Sequence, residues 1–288
     1  MHRRDFLRFG ATATAGAYLL PNESNAPMDA AAEDAAAAED ERRAQEGWIQ
    51  LFNRRNLDGW YSMLSTSGRG VAETKGYLSV ENGMIHVLGN PPKTGPVETG
   101  YFATNEEYEN YRVRVEFKWG TKRFAPRLEA KRDNGLIYHV VGNDAVWPTC
   151  AECQIQETDT GDAWMLTGAR AARSRNLFDL PATVVPNAPP PTPAPGANPP
   201  RPLEPVTGRI FKEGDFEKLG EWNTVEVVTR GDRSLHIVNG RINNALSMIQ
   251  RPDPQNPGQY IPLTRGKIAL QIEYAEMWFR RVEIRPGG

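Results

Sequence analysis

Cysteine is scarce in this chain. There are two, Cys150 and Cys153, and their C-x-x-C spacing marks a thioredoxin-like redox pair only near a helix start in a βαβ setting. Here it opens a strand-like run with no βαβ pattern around it. Residues three apart on a strand point to opposite faces. The expectation is two buried thiols, or one local bridge in an oxidising compartment, rather than redox catalysis. Beyond the N-terminus no apolar run reaches 18 residues, and the mean hydropathy is −0.57, which excludes a spanning helix there. A basic excess is missing too: the formal charge of −2 argues against a nucleic-acid partner. No fixed-period repeat suggests a propeller.

The N-terminus, "MHRRDFLRFGATATAGAYLL", places Arg3-Arg4 before Asp5-Phe6-Leu7 and a weakly apolar Gly/Ala run. It resembles a twin-arginine export signal, with small residues Ser24 and Ala26 for cleavage near Ala26. The expectation is an exported, periplasmic protein with no stable membrane anchor after cleavage. Residues 27–46 are rich in Ala, Asp and Glu with no apolar face to bury, and read as a spacer, in part helical.

From Trp48 onward the pattern is one of strands. In "YRVRVEFKWG", Tyr111, Val113, Val115, Phe117 and Trp119 share one face and Arg112, Arg114, Glu116 and Lys118 the other, as in a half-buried antiparallel strand. Turns are expected at Glu81-Asn82-Gly83, at Arg230-Gly231-Asp232-Arg233 and at Asn239-Gly240. The Arg-Gly-Asp triplet is turn chemistry rather than an adhesion signal. "GKIALQIEY" and "MWFRRVEIR" supply two further strands near the end of the chain. The proline-packed stretch 181–205 interrupts this series and reads as a long surface loop inside one domain, 47–288. Many short strands and few helical patterns predict an all-β fold, a sandwich or barrel.

The segment "AECQIQETDTGD", 151–162, concentrates carboxylates and amides in a strand. By strict alternation Glu152, Gln154 and Gln156 face one way and Glu157 the other. A bulge at Ile155-Gln156 would return Glu157 to the side of Glu152 and Gln154, giving E-x-Q-x-x-E. That spacing resembles the E-x-D-x-x-E of laminarinase- and lichenase-type sandwich hydrolases, with Gln154 replacing the central Asp. The neighbouring "KRDNGLIYHVVG" adds Lys131, Arg132, Asp133 and His139, and "NDAVWPT" adds Trp147 as a platform for a sugar's apolar face. Each alone is commonplace: a strand His is usually structural, Lys-Arg a solvated loop, a Trp a core or rim residue. Together they suggest convergence on one face. His86 is a weaker candidate of this kind, and His236 reads as strand-surface polarity.

Taken in order, "LFNRRNLDGW", "YFATNEEYENYRVRVEFKWG", "RDNGLIYHVVG", "ECQIQETDTGDAW", "GEWNTVEVV", "HIVNGRINNAL" and "WFRRVEIRP" resemble the successive blocks of the 3-keto-disaccharide hydrolase family, over roughly residues 48–286. The resemblance implies a concanavalin-like jelly-roll β-sandwich of two antiparallel sheets. It also implies an enzyme, a 3-keto-glycoside hydrolase or lyase, working on a carbohydrate substrate alongside a sugar 3-dehydrogenase that makes the ketone. A C3 ketone acidifies the C2 proton. Its removal, followed by loss of the C1 substituent and addition of water, amounts to hydrolysis without an oxocarbenium-stabilising nucleophile.

The catalytic candidates are Glu152, Glu157, Lys131 and His139. Lys131 serves as base or electrophile if partly buried, with Glu157 the second candidate base. Arg132, Asp133, Gln154, Trp147, Gln271 and Glu273 form the substrate-binding set. A divalent metal is one way to hold the enediolate, with His139, Glu152 and Gln154 as ligands; no nucleotide cofactor is expected. Two other classes compete: a non-catalytic carbohydrate-binding module, and a hydrolase of unoxidised glycosides using Glu152 and Glu157.

Overall fold

The strand Tyr111–Arg123 shows how alternation builds this fold. Tyr111, Val113, Val115 and Phe117 are all buried, while Arg112, Arg114, Glu116 and Lys118 keep partial exposure, as the sequence predicts. A computed structural model describes residues 30–92, 96–174 and 204–287. The twin-arginine segment and nearly all of the proline-rich stretch lie outside the described residues.

Two sheets result. The back sheet runs Arg170–Arg173, Arg241–Pro252, Arg233–Val238, Asn223–Arg230, Tyr111–Arg123, Ala275–Pro286, Met84–Val87 and Leu78–Glu81, with Ile49–Gln50 and Tyr260–Pro262 as short additions. The second, the site sheet, runs Gly208–Ile210, Ala163–Leu166, Thr149–Gln156, Asp133–Val141, Arg265–Ile272, Gly100–Thr104, Trp60–Leu64 and Gly68–Arg69. Tyr108–Glu109 adds to Arg265–Ile272. Every ladder among the described residues is antiparallel. The two sheets pack face to face as a jelly-roll β-sandwich. Between them lies one apolar core, in which Val113, Val115 and Phe117 meet Phe102, Leu136, Tyr138, Ala151, Cys153, Ile155 and Leu270.

The expected turns are present. Asn82 and Gly83 both take positive φ, 51° and 70°, between Leu78–Glu81 and Met84–Val87, the backbone a two-residue hairpin demands. Arg230 pairs with Arg233 across Gly231-Asp232, so the Arg-Gly-Asp triplet closes a hairpin. Cys150 and Cys153 are free, buried thiols. Their opposite orientation follows from strand geometry: Cys153 joins the inter-sheet core and Cys150 a separate cluster on the other face.

One sequence expectation fails here. His236 is not surface polarity; it is fully buried and accepts or donates at Tyr138 Oη, 3.1 Å away, a contact joining the two sheets. The acidic spacer is more than a tether. Ala30–Gln45 is one helix, and its polar residues dock it on the outer face of the back sheet. Arg54 reaches Asp40 at 2.8 Å, Arg281 reaches Glu39 at 3.3 Å and Arg43 reaches Glu283 at 3.4 Å. Among the described residues no helix is long and apolar enough to cross a membrane.

Candidate functional site

The site sheet has two faces with different chemistry. Ala151, Cys153 and Ile155 of Thr149–Gln156 point into the inter-sheet core, so Glu152, Gln154 and Gln156 point away from it. Register across the sheet then sets which side chains become neighbours. Gln154 lies opposite Gly135, and Gln271 opposite Tyr101. In the adjacent row Trp164, Glu152, Ile137, Ala269, Ala103 and Tyr61 follow one another from strand to strand. One row on in the other direction, Gln156 lies opposite Asp133.

Gly135 matters most in this grid. A Cβ there would sit 2.2 Å from Glu152 Oε1 and 2.8 Å from Gln271 Oε1. The missing side chain thus leaves a niche into which both oxygens project, as strand-interior glycines often do where something must approach closely. Glu152 is 3% exposed and Gln271 2%. Neither oxygen has a hydrogen-bond partner, an arrangement that calls for a donor from outside the protein. Burial pushes the Glu152 carboxyl well above the usual carboxylate range, reinforced by the charges of Asp133 and Glu273.

Beside the niche, Arg127 organises the acidic end. Its guanidinium reaches Asp133 Oδ2 at 2.7 Å and Glu273 Oε1 at 2.6 Å. Gln156 donates to Asp133 Oδ2 at 2.7 Å, and Gln154 donates to Asp133 Oδ1. Burial, with the Asp133 charge, raises Glu273 to about 7 against the pull of Arg127. Burial also raises Asp133, again opposed by Arg127. At the other end of the face, the loop after Asp133–Val141 folds over the sheet. Asp144 accepts from Tyr61 Oη at 2.8 Å and Tyr101 Oη at 3.1 Å, and pairs with Arg69. Val146 and Trp147 pack on the apolar patch of Tyr101, Ala103, Ile137 and Ala269.

Of the residues singled out from sequence, the structure brings Glu152, Asp133, Gln154, Gln271 and Glu273 together and sets Trp147 on the same face. Four others lie elsewhere. No bulge occurs at Ile155-Gln156: the pairing with Asn134 and Asp133 continues in register, and the strand ends at Gln156. Glu157 instead enters a tight turn, with Thr158 at φ 72°. Its carboxylate is held by Arg132 at 2.9 Å and Arg123 at 3.0 Å, and the Arg132 hydrogen bond lowers its pKa. Arg132 is occupied by that pair and by the Gly120 carbonyl at 2.6 Å. Lys131 is half exposed and paired with Asp159 at 2.7 Å, not partly buried in the niche.

His139 is displaced by a bulge that sits elsewhere than expected. The irregularity falls opposite Cys150, between the Thr149 and Ala151 pairings, and His139 takes φ 54°. Gly266 on the next strand makes room: a Cβ there would lie 2.5 Å from the His139 carbonyl carbon. The imidazole turns into the inter-sheet core, edge-on to Tyr111 and Tyr138. It has no hydrogen-bond partner, and burial lowers its pKa to about 3. The metal set His139, Glu152 and Gln154 therefore does not assemble. Among the described residues no group of three or more His, Cys, Asp and Glu is arranged to hold an ion. His86 is also remote, stacked on Trp278 and held between Glu81 and Glu276 on the back sheet.

Gly135, Arg127 and Asp144 were not among the sequence candidates. The glycine had a readable signal, an isolated Gly inside "DNGLIYHVV"; the other two sit on loops whose path the sequence does not fix.

No curated protein matches the chain. Similar solved structures include a Parabacteroides distasonis ATCC 8503 protein provisionally named a glycosyl hydrolase, at 20% identity over 85% of this chain and 96% of that one, TM-score 0.49. A lichenase from a mouse hindgut metagenome shares 9% identity over 83% and 98%, TM-score 0.45. A Bacillus licheniformis beta-glucanase shares 12% over 83% and 98%, TM-score 0.43. Likenesses at this level carry no argument about chemistry. The family model of the 3-keto-alpha-glucoside-1,2-lyase-like domain does: it matches residues 47–285, and the chain belongs to that carbohydrate-active family.

Proposed function

We propose that the protein cleaves 3-keto-glucosides by eliminating the C1 substituent, with Glu152 as the base. The observation that carries this reading is the pair of buried, unpartnered oxygens of Glu152 and Gln271 over Gly135. The C3 ketone acidifies the C2–H bond. Glu152, as carboxylate, takes the C2 proton, and the C–H electron pair becomes the C2–C3 π bond of an enolate with its charge on the C3 oxygen. When the C3 carbonyl reforms, that pair moves into a C1–C2 double bond and the C1–O pair leaves with the aglycone oxygen. The oxygen takes a proton, from protonated Glu152 or from water, and departs as an alcohol. Water then adds at C1 of the enone, completing a net hydrolysis.

The environment suits this role. A carboxylate with a raised pKa is a stronger base, better matched to a carbon acid. Turning the Gln271 amide exchanges its oxygen for NH2, so this side chain can accept from a hydroxyl or donate to the enolate oxygen. Double displacement on an unoxidised glycoside would need a second carboxylate facing the first, and Glu157 is committed to Arg132 and Arg123. No step is routed through a metal, because the residues do not form the expected ligand set. The reaction belongs to an exported protein, since Arg3-Arg4-Asp5-Phe6-Leu7 resembles an export signal and the ketone requires a prior oxidation by a sugar 3-dehydrogenase.

The test compares a 3-keto-disaccharide with its unoxidised parent. Turnover of the first alone is expected, with slower reaction or solvent exchange of a C2 deuterium label. Glu152→Gln should lower kcat by orders of magnitude, about 100-fold or more for loss of a positioned base. Binding without turnover would make the protein a carbohydrate-binding module, and cleavage of the unoxidised sugar, or full activity in Glu152→Gln, would overturn the mechanism.

A further inference from the structure

On the far side of Glu152 from Gly135, the site face carries a strip of stacked π surfaces that the reaction above does not use. Trp164 is the direct cross-strand partner of Glu152, close enough for their side chains to touch. Arg209 is the next cross-strand partner. Its guanidinium carbon lies 5.8 Å from the Trp164 ring centroid and 4.7 Å from that of Phe211. Phe211 is 63% exposed, a large aromatic presented to solvent. Arg209 is fixed in this stack by carboxylates: its Nε donates to Asp162 Oδ2 at 2.6 Å, and Asp159 lies 3.2 Å from its Nη2. Asp159 is in turn paired with Lys131.

We infer that Trp164, Arg209 and Phe211 form the leaving-group subsite of the enzyme, and that it takes a planar aromatic aglycone. The inference rests on the reading that places the sugar ring over Gly135. Two observations fix the direction and the chemistry. Direction follows from what is blocked. Past Ile137 and Ala269 the sheet is covered by Val146 and Trp147, on a loop pinned through Asp144 to Tyr61, Tyr101 and Arg69. A group leaving from C1 has the Trp164 side open to it. Chemistry follows from hydrogen bonding. Over Gly135 buried acceptors stand unpartnered, as hydroxyl recognition requires. Along the strip the charged groups already hold one another, so a second sugar ring would find π faces but few free partners for its hydroxyls. An aromatic ring loses no hydrogen bonds there and gains offset or cation–π stacking.

The test measures kcat/KM for phenyl 3-ketoglucoside and for a 3-keto-disaccharide, with wild type, Trp164→Ala and Phe211→Ala. Wild type should prefer the phenyl substrate, and each substitution should reduce that preference by about 10-fold, chiefly through a higher KM on the phenyl substrate. Phe211→Ala, at an exposed position, should leave the melting temperature unchanged, which separates binding from folding. A disaccharide preference in wild type, or equal losses on both substrates, would overturn the inference while leaving the elimination intact. If wild type turns over neither substrate, the parent mechanism fails, and calorimetry of unoxidised phenyl glucoside and disaccharide binding decides the subsite alone. Tighter phenyl binding that is lost in Trp164→Ala supports it; no difference refutes it.

Discussion

Replacing Gly135 by Ala should silence the enzyme while barely touching its stability. The new methyl would begin 2.2 Å from Glu152 Oε1 and 2.8 Å from Gln271 Oε1. Reaching ordinary van der Waals separation requires the carboxylate to retreat by about 1 Å. The obstacles are ends of flexible side chains, and Gly135 sits in a regular strand without a positive φ, so the backbone accepts alanine. Reduced entropy of the unfolded chain favours Ala by about 0.5–1 kcal/mol, and displacing the two side chains offsets much of that. The net change should stay within about 1 kcal/mol, or roughly 2–4 °C in Tm for a domain of this size. A misplacement of about 1 Å at a reacting group, by contrast, lowers rate by about 100-fold. Scanning calorimetry and kcat/KM on a 3-keto-glucoside measure the two effects separately. The double variant with Glu152→Gln should be little worse than Glu152→Gln alone, since both remove one function. Activity within about threefold of wild type, with an unchanged melting curve, would mean that the Gly135 niche is not where the sugar reacts.

Val115→Ala removes two methyls from a fully buried position and should cost about 1–3 kcal/mol in denaturant unfolding. His139 and His236 have pKa values lowered by burial to about 3 and about 4 from 6.5. Their stabilising contribution is present above about pH 6.5 and lost as pH falls through the folded values, at up to about 1.4 kcal/mol per pH unit for each. His139→Asn, which tolerates the left-handed backbone, should flatten the fall in stability between pH 6.5 and 4 measured in urea; an unchanged slope would refute the burial assignment. Lysine at both Arg3 and Arg4 should leave precursor in the cytoplasm on fractionation, and normal export would remove the twin-arginine reading.

The back of the molecule was readable because side-chain period and burial agree there. Tyr111 through Trp119 alternate without interruption, and Asn82-Gly83 announces its own turn. The site was only half readable, because it depends on where alternation breaks. One irregularity decides the side on which His139 lies, and its position is set by Gly266 on a strand more than 120 residues later in sequence. Local pattern cannot weigh that contact, so the bulge expected at Ile155-Gln156 had no competitor. Glu152, Gln154, Asp133, Gln271 and Glu273 fall on one face because register alone aligns them. Arg127 and Asp144 work from loops, whose reach depends on the assembled sheet.

The helix Ala30–Gln45 is bound to the outer face of the back sheet, the side of the sandwich opposite Glu152. A group attached along this helix therefore lies on the face of the sandwich away from Glu152. A protein immobilised on a resin through a side chain of this helix would present the Glu152 face to the liquid, whereas coupling through Lys131, beside Asp159 and the Trp164 strip, would turn that face toward the support.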